Sequence, residues 1–152
     1  MRSALGIEQE MMTNDRYRVL REAYRVRDAL PRDVGGLCAI ASARLHDSLK
    51  DVGIVSTFLV TENCDFSHVF LKVPDVDGRD MLLDITASQF DPKAHVEFKP
   101  LQEVDTKTFE WWHEPQEVTS PEELLCLQEE AGWPRDQLVG ATVERWDRPA
   151  NS

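Results

Sequence analysis

The sequence has few basic residues. It contains 17 Lys and Arg but 28 Asp and Glu among 152 residues, which gives a formal net charge of −11 at pH 7. An electrostatic field of that sign repels phosphate backbones and anionic lipid headgroups. The composition therefore argues against nucleic acid and against a membrane surface as partners.

The sequence also lacks a long hydrophobic run. Uncharged apolar stretches such as residues 53–60 are far shorter than the about 20 residues that a membrane-spanning helix requires. Residues 1–10 reach acidic side chains before an apolar segment forms, so no cleavable signal peptide is expected. These features predict a cytoplasmic protein, or one delivered without such a signal.

Cysteine is scarce as well, with three residues at positions 38, 64 and 126. An odd number without an export signal argues against a disulfide framework. Cys126 falls among leucines in an amphipathic stretch and is expected in the core. Cys64 and His68 have a spacing that could bind metal, but a structural zinc site needs four ligands and no second Cys/His pair has usable spacing. No metal or other cofactor is therefore expected.

Apolar residues three and four apart predict two helices, one within residues 1–31 and one over about 37–52. Pro31 and Gly53 follow these segments and are the residue types that end helices. The length is typical of one domain, covering 1–152.

After the second helix the apolar period changes to two, which is typical of strands. Strands are predicted over 54–61, 67–74 and 80–85, with a hairpin turn at 75–79 and a further short strand near 96–98. Ser120, with Pro121 and two acidic residues after it, begins a C-terminal helix within 119–132. The predicted fold is α+β, with helices packed on an antiparallel sheet.

Cys38 follows a Gly35-Gly36 loop at the predicted start of the second helix. A helix N-terminus carries partial positive charge and unpaired N–H donors, which favour a thiolate and can hold an oxyanion. The glycines allow a substrate to approach closely, so Gly36 is a candidate substrate-binding residue.

A nucleophilic thiol needs a base, and the base needs a third group to orient it. His68 begins one predicted strand and Asp84 ends the next. If the turn covers 74–79, Asp84 lies opposite Val69, one step from His68, and a tighter turn or a bulge aligns the two directly. Asp84 also lies among apolar residues, where an unpaired carboxylate is costly.

Plainer interpretations exist for each of these residues. Cys38 could be a small buried hydrophobic residue, His68 a hydrogen-bonded strand histidine, and Asp84 a turn-forming carboxylate beside Thr86.

Three segments together resemble the core of the transglutaminase-like proteins within the wider papain-like group. They are Gly36–Cys38 at the helix start, Ser67–Val73 on a strand and Leu82–Phe90 after it, within a core of residues 35–90. The resemblance implies that Cys38 is the nucleophile, His68 the general base and then acid, and Asp84 the group that orients the imidazole.

Two positions depart from the family pattern. Ile85 stands where bacterial members often have Pro after the aspartate, and no Gln precedes Cys38 as it does in papain-like proteases. The oxyanion must then be held by backbone N–H groups or by a side chain from elsewhere, with Gln89 and Gln9 as possible donors.

The resemblance implies thiol-dependent acyl transfer on an amide of a protein or peptide substrate, as in peptidases, glutamine deamidases and transglutaminases. Trp111 and Trp112 form an aromatic cluster that could line the substrate cleft or belong to the core and its rim. The alternative is a non-catalytic protein-binding module on the same fold.

Overall fold

A computed structural model describes the chain over residues 4–62, 67–74, 78–89, 95–101 and 115–141, with the side chains of residues 4–15, 62 and 89 outside the description. Within these ranges the fold is α+β, with three α-helices and a five-stranded antiparallel sheet. The helices are α1 (Ala4–Ala29), α2 (Cys38–Asp51) and α3 (Pro121–Ala131). The strands are β1 (Thr57–Glu62), β2 (Ser67–Pro74), β3 (Asp80–Asp84), β4 (Glu97–Pro100) and β5 (Gln116–Val118). Short 3₁₀ helices cover Ala87–Gln89 and Arg135–Gln137.

The ends of α2 and α3 confirm the predicted helix boundaries. Gly53 lies just beyond α2 with φ of 82°, a left-handed conformation that suits glycine. Ser120 caps α3, since its side chain accepts a hydrogen bond from Glu123 N at 3.2 Å, and Gly132 ends that helix with φ of 78°. In the described part of the chain, no helix combines the length and hydropathy of a membrane span.

The sheet has the strand order β4-β3-β2-β1-β5, which puts β2 at its centre. Between β2 and β3, Pro74 pairs with Asp80 and Leu71 with Leu83. The same register continued by one residue puts Asp84 opposite Phe70. The predicted pairing of Asp84 with Val69 is therefore wrong, because Pro74 belongs to the strand and the turn begins one residue later than expected.

The main core lies between the helices and one face of the sheet. α1 packs on α2, and α2 packs along β2. Alternate residues of each strand point toward α2 and join this core, and they include Phe58, Leu71 and Leu83. Leu59, Phe70 and Leu82 alternate with them and form a smaller cluster on the other face.

A polar network buried between the first two helices fixes their alignment. Glu22 of α1 is 2% exposed and accepts hydrogen bonds from Ser48 Oγ of α2 at 3.2 Å and from Arg25 at 2.6 Å. The Arg25 guanidinium also donates to Ser48 Oγ at 2.9 Å. Because the buried carboxylate has a charged partner and a hydroxyl donor, its burial is compensated.

Two further features differ from the sequence prediction. Strand β5 was not predicted, because only Val118 of its three residues is buried and so short a segment has no period of two to detect. Cys126 is exposed rather than in the core. The buried residues of α3 are Leu124 and Gln128, one helical turn apart, so Cys126 points to the opposite side.

Candidate functional site

Cys38 is the first residue of α2, and its helix begins without a side-chain cap. Leu37 occupies the cap position and offers no acceptor to the first-turn N–H groups. Those groups therefore remain near the thiol as potential donors to an anion. The Cys38 residue is 4% exposed. Ser42, one turn further on, donates to Val69 O at 3.2 Å and ties this part of α2 to β2.

His68 and Asp84 meet in a buried, hydrogen-bonded pair. His68 Nε2 lies 2.6 Å from Asp84 Oδ2, and the imidazole is fully buried. The two residues contact each other diagonally, since Asp84 continues the register opposite Phe70, two positions from His68. Such a diagonal lies within reach of longer side chains on one face of a sheet.

Asp84 uses its other oxygen to fix the chain that follows it. Oδ1 accepts hydrogen bonds from Thr86 N at 2.9 Å and from Thr86 Oγ1 at 3.2 Å. Asp84 is thus both a turn-forming carboxylate beside Thr86 and the hydrogen-bond partner of His68. With both oxygens engaged, the carboxylate is held in one orientation toward the imidazole.

The thiol of Cys38 lies close enough to His68 to help raise the pKa of its imidazole. Burial by itself lowers the pKa of His68, but the Asp84 carboxylate and, to a smaller extent, Cys38 raise it, and the net value is about 10. The imidazole therefore keeps its proton at neutral pH.

The wall around the imidazole is aromatic on one side. The ring of Phe70, two residues along β2, stacks on that of His68 with centroids 5.7 Å apart. Thr61 of β1 lies directly across from His68 in the strand pairing. Its hydroxyl is buried and has no hydrogen-bond partner among the described residues.

Gln137 is a site residue that the sequence did not identify. Gly36 has φ of 77°, and a Cβ added there would lie 3.3 Å from Gln137 Nε2. The side-chain amide of Gln137 therefore packs against the loop two residues before Cys38. In the described residues this amide has no hydrogen-bond partner. Of the sequence signals, only the missing Gln before Cys38 pointed to a donor from another segment, and it did not single out this one.

Gln128 of α3 holds the Gln137 segment in position. Its fully buried side-chain amide donates to Gln137 O at 3.0 Å and accepts from Val139 N at 2.7 Å. Both ends of the Gln128 amide are thus used on the segment that contacts Gly36.

The other residues singled out from the sequence are not brought together by the described structure. Gln89 ends a 3₁₀ helix, but its side chain lies outside the description, as do Trp111, Trp112 and Cys64. Among the described residues, no group of three or more His, Cys, Asp or Glu side chains is arranged to hold a metal ion.

Comparisons of the chain with protein-family models, curated proteins and solved structures give no match. The site is therefore interpreted from its own geometry.

Proposed function

We propose that this protein catalyses thiol-dependent acyl transfer on an amide. The observation that carries the proposal is the position of His68, which is hydrogen-bonded to Asp84 through Nε2 and lies close enough to Cys38 for that residue to help raise the pKa of the imidazole. This is the order nucleophile, base and orienting group that such chemistry requires. A purely structural histidine needs a hydrogen-bond partner such as Asp84. It has no need of a cysteine near it at the start of a helix.

In the first step the Cys38 thiolate attacks the amide carbonyl carbon, and a C–S bond forms. The electron pair moves to the carbonyl oxygen and then returns, breaking the C–N bond. His68 gives its proton to the departing amine, which leaves as a neutral molecule. The acyl group remains on Cys38 as a thioester, and His68 is neutral.

In the second step a water molecule or an amine resolves the thioester. Neutral His68 accepts a proton from that acceptor while the acceptor's oxygen or nitrogen attacks the carbonyl carbon. The C–S bond then breaks and restores the thiolate and the protonated imidazole. Peptidase, glutamine deamidase and transglutaminase activities share both steps and differ only in the amide and the acceptor.

Gln137 is proposed as a donor to the oxyanion of this reaction. Its unpartnered amide lies against Gly36, near the first-turn N–H groups of α2. Donors fixed where negative charge develops lower the barrier because they need no reorganisation. This assignment replaces Gln9 and Gln89 as candidate donors, since the contact with Gly36 favours Gln137.

The finer fold assignment is also a proposal. A cysteine at the start of a buried helix, a histidine on a central strand and an aspartate on the next strand are arranged as in papain-like and transglutaminase-like proteins. The described fold supports that assignment through its α2–β2 packing and its strand order. The inferred substrate is a protein or peptide.

Alkylation of the three thiols across pH tests the proposal. With iodoacetamide and peptide mapping, Cys38 is expected to react well below pH 8 and ahead of Cys64 and Cys126. His68→Gln and Asp84→Asn are expected to slow Cys38 alkylation at pH 6 at least tenfold, whereas the exposed Cys126→Ser variant leaves it unchanged. Cys38→Ala is expected to abolish activity while the Tm stays within a few degrees.

The second candidate is a non-catalytic binding module on the same fold, and burial favours it. Cys38 is 4% exposed and His68 is fully buried. If Cys38 reacts like an ordinary thiol, or less readily than the exposed Cys126, acyl transfer is ruled out and the binding module is supported.

A further inference from the structure

A cavity of about 520 Å³ lies at the C-terminal end of α1. One wall comes from the end of α1 and from the loop that leads to Cys38, and another comes from Ser88, which follows Asp84. Its lining residues are Arg27, Asp28, Leu30, Arg32, Asp33, Val34, Ser88 and His95. The cavity is therefore built from the segments that position the nucleophile and the orienting carboxylate.

Arg27 carries a positive charge in this cavity with few acceptors around it. The residue is 6% exposed, and its guanidinium donates to Ser88 Oγ at 3.3 Å. Its Nε is buried and has no hydrogen-bond partner within the part of the chain that the structure describes. A guanidinium has five N–H donors and stays protonated in proteins, so the Nε–H group is a buried donor that the Ser88 hydroxyl leaves unsatisfied.

Nearby charges do not supply the missing anion. Asp28 lies on the same helix, but its carboxylate pairs with His95 at 3.7 Å and is largely exposed. Asp33 accepts a hydrogen bond from Gly35 N at 3.0 Å. In the described part of the chain, no carboxylate contacts the Arg27 guanidinium within ion-pair distance.

The position of Arg27 in the helix explains part of its charge. It lies in the last turn of α1, where unpaired carbonyl groups favour a cation. Burial nevertheless lowers the pKa of its guanidinium, an effect that the charge of Asp28 opposes. The helix end and Asp28 thus favour the charge at a distance, but among the described residues neither gives Nε a hydrogen-bond acceptor.

We infer that Arg27 binds a carboxylate of the acyl donor in this cavity, so the substrate is an amide with a carboxylate near its reactive carbonyl. This inference rests on the proposed function. A guanidinium can bind a carboxylate through two parallel hydrogen bonds. The carboxylate belongs either to the C-terminus of a peptide or to an acidic side chain, and both have the same chemistry.

Binding of four small probes to the full-length Cys38→Ala protein tests the carboxylate site without any reaction. Acetylglycine carries a terminal carboxylate and acetylglutamate α-amide a side-chain one, and the matched neutral probes are acetylglycinamide and acetylglutamine amide. By NMR titration, at least one acid is expected to bind ten times more tightly than its neutral partner. The better acid identifies the source of the carboxylate. Equal binding of acid and neutral probes overturns the inference.

Substitutions of Arg27 separate its role from that of overall charge. Arg27→Gln is expected to remove the preference for the acid, and Arg27→Lys, which keeps the charge and most of the side-chain stem, to weaken acid binding at least fivefold. Arg79→Gln removes the same charge from an exposed position before β3 and is expected to change acid binding less than twofold. If Arg27→Gln does not fold, the lysine variant decides. Retention of acid binding in a folded Arg27 variant overturns the inference.

Protection of Cys38 in the wild-type protein connects the cavity to the reaction. A saturating concentration of the preferred acid is expected to slow Cys38 alkylation by iodoacetamide at least fivefold. If Cys38 reacts like an ordinary thiol but the acid still binds in a way that depends on Arg27, the proposed function is contradicted and the carboxylate site is supported. A reactive Cys38 that the acid does not protect overturns the inference alone.

Discussion

The proton on His68 is the residue-scale feature on which the chemistry depends. The imidazole has no solvent contact, so an isolated charge there would be unstable. The carboxylate of Asp84 on one side and the thiol of Cys38 on the other make the protonated ring the favoured form. A ring that starts protonated can act first as an acid to the leaving amine and later as a base to the acceptor.

The same proton makes stability depend on pH. The pKa of His68 is raised to about 10 in the folded protein, whereas an unfolded histidine has a pKa of about 6.5. The contribution of His68 is therefore complete below about pH 6.5 and is lost as the pH rises through about 10, at about 1.4 kcal/mol per pH unit in between. We expect the difference in unfolding free energy between wild type and His68→Gln to be larger at pH 6 than at pH 10.

Urea unfolding at both pH values, with the midpoint and slope fitted separately, measures this difference. His46→Gln serves as the control, because the pKa of His46 is lowered, mainly by burial, and its contribution has the opposite pH dependence. A difference for His68→Gln that grows toward pH 10 would show that the folded ring is neutral.

Thr61 leads to a second prediction at this scale. Its buried hydroxyl has no partner, so replacing it with a methyl group removes an unsatisfied polar atom and keeps the side-chain shape. We expect Thr61→Val to raise the unfolding free energy by about 1 kcal/mol and to leave the alkylation rate of Cys38 unchanged. Thermal and urea unfolding measure the first quantity. A destabilised variant would indicate that the hydroxyl holds a buried water.

At the scale of elements, the segment after α3 completes the site. Gln128 fixes the backbone of that segment, and Gln137 then contacts Gly36 beside the start of α2. The proposed oxyanion donor thus depends on how α3 docks.

Removing the Gln137 amide should affect acyl transfer but not alkylation. With p-nitrophenyl acetate as acyl donor, Gln137→Ala is expected to slow acylation of Cys38 by about 10²–10³-fold, the usual loss for one oxyanion donor. Alkylation by iodoacetamide forms no oxyanion and is expected to stay within twofold. Asp136→Ala changes an exposed neighbour and serves as the control. Equal losses in both reactions would show that Gln137 only supports the position of Cys38.

Some elements could be predicted from the sequence because local signals mark them. The period of 3.6 residues identified α1 and α2, and the Ser120 cap and Gly132 identified α3. The diagonal contact between His68 and Asp84 could not be derived from the sequence. It depends on whether Pro74 pairs with Asp80 in the sheet or belongs to the turn. A polar residue in a short irregular segment has no periodic signal. The contact between Gln137 and Gly36 could therefore not be predicted from the sequence either.

At the scale of the whole molecule, the net charge opposes the carboxylate that Arg27 is proposed to bind. A charge of −11 repels anions at long range, but salt screens that field over about 8 Å at physiological ionic strength. Within the cavity the guanidinium acts at contact distance, where screening is weak. The chain as a whole thus disfavours polyanions while one position can still select a single carboxylate.

The contact between Gln137 and Gly36 forms late, because Gln137 is synthesised after the other residues of the candidate site. During synthesis, the helix that bears the thiol and the hairpin that bears the imidazole leave the ribosome before the segment after α3. A growing chain can therefore hold its nucleophile and base while it still lacks the proposed oxyanion donor. Any acyl transfer that depends on this proposed donor would then begin only after the segment that follows α3 has been made.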